Sequence, residues 1–166
     1  TPKLLVENKL RDTYLIDFKD YEIKEFDVKN SSLVKNLCED ILQAEVYYKD
    51  LSIIIDELKT LTVIDVNTGP RKSKNKKKDF LLNVNLELID FIAYNLKLRN
   101  IGGMVVIDFL RSDGEERIIE EFQKACEKYR LEAEIFGFTK MRLFEMTIKR
   151  RGESLKAKLS EKKLLT

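Results

Sequence analysis

Two hydrophobic segments each carry one aspartate near their C-terminal end. The residue is Asp65 in TLTVIDVN and Asp108 in MVVIDFL. Successive residues of a strand point to opposite faces, and in both segments the residues of either face are mostly apolar. This pattern predicts two central strands that are covered on both faces. An unpaired carboxylate in such surroundings is costly, so each aspartate should hold a cation or a basic side chain.

If the two strands are neighbours, Asp65 and Asp108 converge on one hard divalent cation. Mg²⁺ is the expected ion, with Mn²⁺ as a substitute, because Mg²⁺ takes oxygen ligands, needs one or two carboxylates and keeps waters that a phosphate displaces. Such an ion would polarise a phosphodiester and lower the pKa of an attacking water. Asn67 lies on the same face as Asp65 and would orient that carboxylate or a water. The spacing alone leaves an alternative open, in which both aspartates are structural and bridge to Arg99 or Arg142.

The composition excludes several classes of mechanism. The chain contains no histidine, so a Ser-His-Asp triad, a Cys-His dyad and histidine-ligated zinc are impossible within it. Cys38 and Cys126 are isolated, which gives neither a disulfide framework nor an expected zinc site. We see no membrane span and no secretory signal, Thr1 suggests a trimmed chain, and a cytoplasmic location is expected.

Positive charge is concentrated in two segments, although the net charge is only +2. Residues 71–78, RKSKNKKK, have six basic and no acidic side chains, and residues 140–166 are also strongly basic. This asymmetry favours a polyanionic partner, although solvated flexible loops would show the same pattern. If that partner is a nucleic acid, the residues that we expect to contact it are Arg71, Lys72, Lys74, Lys76, Lys77, Lys78, Lys140 and Arg142.

Alternating strand and helix patterns predict an α/β or α+β fold, with a mixed sheet flanked by helices. We expect three regions: a small αβ piece over 1–48, a catalytic core over 49–150 and a charged tail over 151–166. Strands are predicted at 14–18, 22–28, 51–58, 60–67, 104–110, 133–138 and 141–148. The tail shows no clear partner face and is expected to fray or to continue into a missing part of the protein.

Helical spacing of apolar residues predicts three helices. The first follows a cap at Ser31 or Ser32, with Leu33, Leu37, Ile41 and Ala44 inside. The second lies before Asn100, with Leu82, Leu86, Ile89, Ala93 and Leu96 inside. The third opens with the capping box Ser112-x-x-Glu115 and has Ile118, Phe122, Ala125 and Tyr129 inside. Phe80, Phe136 and Phe138 are candidates for base stacking, but a core position is favoured for each.

Three segments resemble consecutive signatures of the ribonuclease E/G family: LTVIDVNTG, NVNLELIDFIAYNLKLRNIGGMVVIDF and FTKMRLFEMTIKR. The resemblance covers roughly residues 51–150. It implies a deoxyribonuclease-I-like catalytic subdomain, with Asp65 and Asp108 as magnesium ligands and Asn67 as their hydrogen-bonding companion. It also implies hydrolysis of single-stranded RNA to 5′-phosphate and 3′-hydroxyl ends, in RNA processing or decay.

The chain departs from the family pattern at several positions. Leu110 and Arg111 stand where the family has isoleucine and a further aspartate, Lys140 replaces an arginine, and Arg142 replaces a glycine. An S1-type barrel and the CPxC zinc segment are not recognisable, and residues 3–45 only weakly resemble the end of the sensor region for 5′-monophosphate. A homo-oligomer or the missing domains of a longer protein would then complete the assembly.

Two further functions remain open from the sequence. A shortened relative could keep the fold and bind RNA without cleaving it, and this interpretation is favoured by the missing domains. A more remote alternative is a phosphoesterase that acts on DNA or on a small phosphate ester.

Overall fold

The computed structural model describes residues 3–6, 22–25, 27, 31–68 and 78–161. Their helices and strands are β1 (Lys3–Val6), β2 (Glu22–Glu25), α1 (Ser32–Leu42), β3 (Glu45–Tyr48), β4 (Leu51–Glu57), β5 (Leu61–Asn67), α2 (Lys78–Leu98), β6 (Gly103–Asp108), α3 (Glu115–Lys128), β7 (Ala133–Phe138), β8 (Phe144–Ile148) and α4 (Leu155–Glu161). The chain divides into two compact units between residues 40 and 41.

The first unit contains the parallel pair β1–β2 and most of α1. Helix α1 starts as predicted at a serine cap, where the Val34 N–H donates to the Ser31 hydroxyl at 3.4 Å. The predicted inner face is wrong, because Leu33 and Leu37 are 54% and 52% exposed. The predicted strand at 14–18 lies outside the described residues, and the strand predicted over 22–28 is described only for Glu22–Glu25.

The second unit is built on a six-stranded sheet of order β3-β4-β5-β6-β8-β7. Strands β5 and β6 are parallel and are joined by the crossover helix α2, whereas the other neighbouring pairs in this sheet are antiparallel. The predicted α/β class with a mixed sheet is confirmed. Strand β3 belongs to this sheet, so the division falls earlier than the boundary expected at 48 and 49.

The hydrophobic core lies on one face of the sheet, where α2 and α3 pack. Along β5 the side chains of Thr62, Ile64 and Val66 are buried, while the alternate side chains are only partly covered. The predicted central position of β5 and β6 is confirmed. Their predicted cover on both faces is wrong for the described residues, since Met104 of β6 remains 50% exposed.

Helix α3 begins differently from the capping-box prediction. Its N-cap is Gly114, which has a φ of 91° and offers no side-chain cap. Ser112 is instead buried and receives a hydrogen bond from Asn85 at 3.2 Å. The inner face of α3 is as predicted for Ile118, Phe122 and Ala125, all of which are buried.

The C-terminal segment packs more closely than its charge pattern predicts. Ser154 caps α4, since its hydroxyl accepts the Ala157 N–H at 3.2 Å, and Leu159 is buried. The Leu155 N–H donates to the Arg99 carbonyl at 2.8 Å, and Asn100 donates to the Glu153 carbonyl at 2.9 Å. The prediction of a fraying tail is therefore wrong for residues 151–161. Within the described residues, no helix is long and apolar enough to cross a membrane.

Candidate metal centre and nucleic-acid interface

Asp65 and Asp108 lie directly opposite each other at the end of the parallel pair β5–β6. Their Cα atoms are register partners, so they are separated by one strand spacing, about 4.8 Å. Because parallel strands end at the same edge of a sheet, both carboxylates lie on one face beside the loops that leave this edge. Asp65 is half-buried and Asp108 is exposed, which leaves room for water around the pair.

Asn67 extends the site by one alternate position along β5. Its amide nitrogen donates to Oδ2 of Asp65 at 3.3 Å. This bond uses Oδ2, one of the two carboxylate oxygens, and restricts rotation of the carboxylate. The role of Asn67 as a hydrogen-bonding companion of the metal ligands stays a prediction, with which this bond is compatible.

The donor set of this site fits Mg²⁺. Like charges directly opposite on neighbouring strands destabilise a sheet, and a shared cation removes that repulsion. Within the described residues, no cluster of three or more carboxylate, cysteine or histidine side chains could hold a metal ion. Two carboxylates open to solvent suit an ion that keeps several waters, as Mg²⁺ does, better than one that needs a full protein cage.

The alternative partners of the aspartates are engaged elsewhere. Arg99 is 2% exposed and donates to the Gln43 carbonyl at 3.1 Å. Arg99 lies before the first residue of β6 and Asp108 is its last residue. The strand itself is about 17 Å long, so the two side chains lie at opposite ends of it. Arg142 donates through Nε to Glu115 at 3.0 Å and through Nη2 to the Ser112 carbonyl. Neither arginine bridges the aspartates.

A buried asparagine, which the sequence analysis did not single out, fixes the loop that follows Asp108. Asn85 of α2 is fully buried and donates to the Leu110 carbonyl at 2.8 Å. Its Oδ1 accepts the Leu110 N–H at 3.0 Å. A polar residue on an otherwise apolar helix face was the available signal, because a buried amide needs partners. Asn85 thus ties the crossover helix to the backbone beside the aspartate pair.

The predicted RNA-contacting residues are only partly within the described chain. Residues 71–77, and with them Arg71, Lys72, Lys74, Lys76 and Lys77, lie outside it. Lys78 begins α2 and pairs with Asp113 at 2.9 Å, with both side chains exposed. Lys140 is exposed, whereas Arg142 holds the Ser112–Glu115 segment by the contacts given above. Arg142 therefore has a structural role in addition to any contact with a phosphate.

The sheet face that carries the aspartate pair is acidic. We call it the aspartate face, and its strand residues, assigned from register and alternation, are Glu45, Tyr47, Ser52, Ile54, Asp56, Leu61, Val63, Asp65, Asn67, Met104, Val106, Asp108, Glu134, Phe136, Glu145 and Thr147. None of these strand residues is basic. A polyanion can approach this face only when cations or basic segments outside the strands offset the carboxylates.

Comparisons with known proteins identify the family of this chain. A sequence model of the Ribonuclease E/G family matches residues 6–151. The chain is 37% identical to Ribonuclease G of Salmonella typhimurium over 106 residues, which is 62% of this chain and 22% of that protein. It is 38% identical to Ribonuclease E of Synechocystis sp. over 106 residues, which is 62% of this chain and 16% of that protein.

The chain therefore belongs to the Ribonuclease E/G family. It spans about a fifth of the length of the Ribonuclease G relatives and less of Ribonuclease E.

Proposed function

We propose that this chain is a catalytic core of a Mg²⁺-dependent endoribonuclease that hydrolyses single-stranded RNA. The observation that carries the proposal is the register pairing of Asp65 with Asp108 on the open face of the sheet. The family relationship supports the reaction class, since the relatives are named as ribonucleases. We expect products with 5′-phosphate and 3′-hydroxyl ends.

In this proposal Asp65 and Asp108 hold the ion and Asn67 keeps the Asp65 carboxylate in place. When bound, the ion would polarise the scissile phosphate and lower the pKa of an attacking water. The acidic surroundings make the cation a requirement for binding as well, because a phosphate placed against these carboxylates without a cation would be repelled. The basic side chains among residues 71–78, together with Lys140 and Arg142, would contact the RNA backbone, with a strong dependence on salt.

The test compares cleavage of a labelled single-stranded RNA in Mg²⁺ and in EDTA. We expect cleavage only with Mg²⁺, and loss of cleavage in Asp108→Asn and Asp65→Asn. Asp56→Asn is the matched control, because Asp56 is an exposed carboxylate on the same face that pairs with Val63, away from the aspartate pair. Equal cleavage by Asp108→Asn and the wild type would refute the assignment.

A second measurement does not depend on activity. Mg²⁺ at ten times its Kd should stabilise the wild type by about 1.4 kcal/mol, and Asp108→Asn should lose this gain. In EDTA the same variant should be slightly more stable than the wild type, by a few tenths of a kcal/mol, because one of two opposed charges is removed. A wild type whose unfolding midpoint ignores Mg²⁺ would contradict the metal site.

A non-catalytic RNA-binding module is the second candidate, because Arg111 stands where the family pattern has a further aspartate. It predicts salt-sensitive binding of RNA without cleavage in Mg²⁺. Selective cleavage of DNA would instead favour a phosphoesterase of different specificity.

A further inference from the structure

We propose that Phe136 is a platform on which one base of the bound RNA stacks, two strands away from the aspartate pair. This inference rests on the proposed function and names a substrate-binding residue for it. It is carried by the exposure of Phe136, by an irregularity in strand β7 and by the register across the sheet.

Phe136 is solvent-exposed in a strand whose neighbouring side chains face the core. Its side chain is 60% exposed, whereas Ile135 and Phe138 pack against the core cluster. Phe138 lies 5.4 Å from Phe144 between ring centroids, but Phe136 has no aromatic partner within the described residues. A large apolar ring left in water at a sheet edge is available to a ligand.

Alternation from Ile135 turns Phe136 to the aspartate face, and a β-bulge after it returns Phe138 to the core side. The β7–β8 register shifts between Ile135 and Gly137, so Phe136 is an extra residue opposite Glu145. Gly137 has a φ of 96°, and a Cβ there would point towards Ile119 of α3, on the core side. Bulges redirect side chains next to functional sites. Here the bulge lets Ile135 and Phe138 remain in the core while Phe136 faces the other side.

The register places Phe136 within reach of a short RNA segment bound at the metal site. Glu145 pairs with Gly137 on one side and with Val106 on the other, and Asp108 lies two residues beyond Val106. Two strand spacings and two residue steps give a separation of roughly 12 Å between the Cα atoms of Phe136 and Asp108. An RNA strand that runs across the sheet from Asp108 to the edge strand β7 therefore reaches Phe136 within a few nucleotides.

The chemistry of the face selects a base as the group that contacts Phe136. The nearest charged strand residues are the acidic Glu134 and Glu145, which repel phosphate but tolerate the uncharged face of a base. Stacking of this kind requires an unpaired base and shows little preference between bases, because each has a π-face. Phe136 would thus favour single-stranded RNA over duplex without fixing the sequence.

The chain has no tryptophan, so Phe136→Trp introduces a single fluorescent reporter. We expect Phe136→Leu to lower kcat/KM for a short single-stranded RNA by about 5- to 150-fold, mainly through KM, and Phe136→Trp to retain it. The indole emission of Phe136→Trp, recorded by stopped flow before cleavage, should be quenched by the RNA. Tyr94→Trp is the matched control, because Tyr94 is an exposed aromatic residue on α2, in the helical layer, and the emission of that variant should not change.

An abasic residue scanned along the RNA gives the complementary measurement. At one position of the RNA, the abasic residue should lower kcat/KM of the wild type by the same factor as Phe136→Leu does. In the Phe136→Leu variant, the abasic residue at that position should have no further effect. If the wild type cleaves RNA in Mg²⁺ while Phe136→Leu matches it and the emission of Phe136→Trp is not quenched, the inference is wrong and the proposed function stands. If the wild type neither binds nor cleaves RNA in Mg²⁺, the proposed function fails and the inference fails with it.

Discussion

Replacing Asn85 by leucine should destabilise the protein and slow any cleavage at the aspartate pair. The substitution removes both hydrogen bonds to Leu110 and the bond to Ser112. The Leu110 N–H and carbonyl would be left unpaired in a partly buried site, at about 1–3 kcal/mol for each group. The apolar side chain recovers roughly 1–2 kcal/mol through burial. The net loss should be about 2–4 kcal/mol, a large share of the roughly 5–15 kcal/mol typical of a domain.

Urea unfolding measures this loss as a shift of about 1–2 M in the midpoint, at a slope of about 2 kcal/mol/M. Cleavage in Mg²⁺ under conditions where the variant is folded should fall by about 10- to 100-fold, because the backbone beside Asp108 loses its anchor. Asn95→Leu is the matched control, since Asn95 is buried on the same helix but donates only to its own helix, at Phe91. If both variants shift the midpoint equally and Asn85→Leu cleaves normally, the anchoring argument is refuted.

Three further predictions concern other residues of the second unit. Arg142→Met should cost about 1 kcal/mol in thermal unfolding, because its ion pair with Glu115 is half exposed and its bond to the Ser112 carbonyl is lost; no shift would mean that water replaces both contacts. Gly103→Ala should cost about 1–2 kcal/mol from its φ of 92°, and its contact with the Arg150 guanidinium should add little, because that group is the end of a flexible, exposed side chain. Arg150→Ala in the same chain should remove only the steric part, and full recovery would contradict the backbone strain. Burial, helped by the negative charge of Glu127, raises the pKa of Cys126 to about 11, so its thiol should resist alkylation at about pH 8 until the protein unfolds. Since the folded pKa is raised, the stability from this thiol is present below about pH 9 and is lost as the pH rises towards 11, a decline that Cys126→Ala should lack.

The aspartate pair could be predicted from sequence because each carboxylate interrupts a long apolar run. The crossover from β5 through α2 to β6 makes the two strands parallel neighbours, which the strand-helix-strand pattern favours. The apolar periodicity also predicted α2 and α3, because one face of each helix is buried over several turns.

Local details escaped prediction where a tertiary contact competed with a local pattern. Ser112 and Glu115 have capping-box spacing, but the Ser112 hydroxyl is used by Asn85 and Glu115 is used by Arg142. The packing of Phe138 against the core, two residues after the exposed Phe136, depends on a one-residue register shift, which alternation of residue types cannot reveal. The packing of α4 depends on the backbone of Arg99, far away in sequence.

The crossover connection has a consequence for how the candidate centre is encoded. Both aspartates, Asn67 and Asn85 belong to one uninterrupted β–α–β segment, residues 61–108, in which the helix returns the chain beside its own first strand. The opposition of the two charges is therefore fixed by the pairing of β5 with β6, and neither of the outer strands β3 and β7 contributes to it. Insertions or losses outside this segment can alter what is bound while leaving the opposed carboxylates where they are.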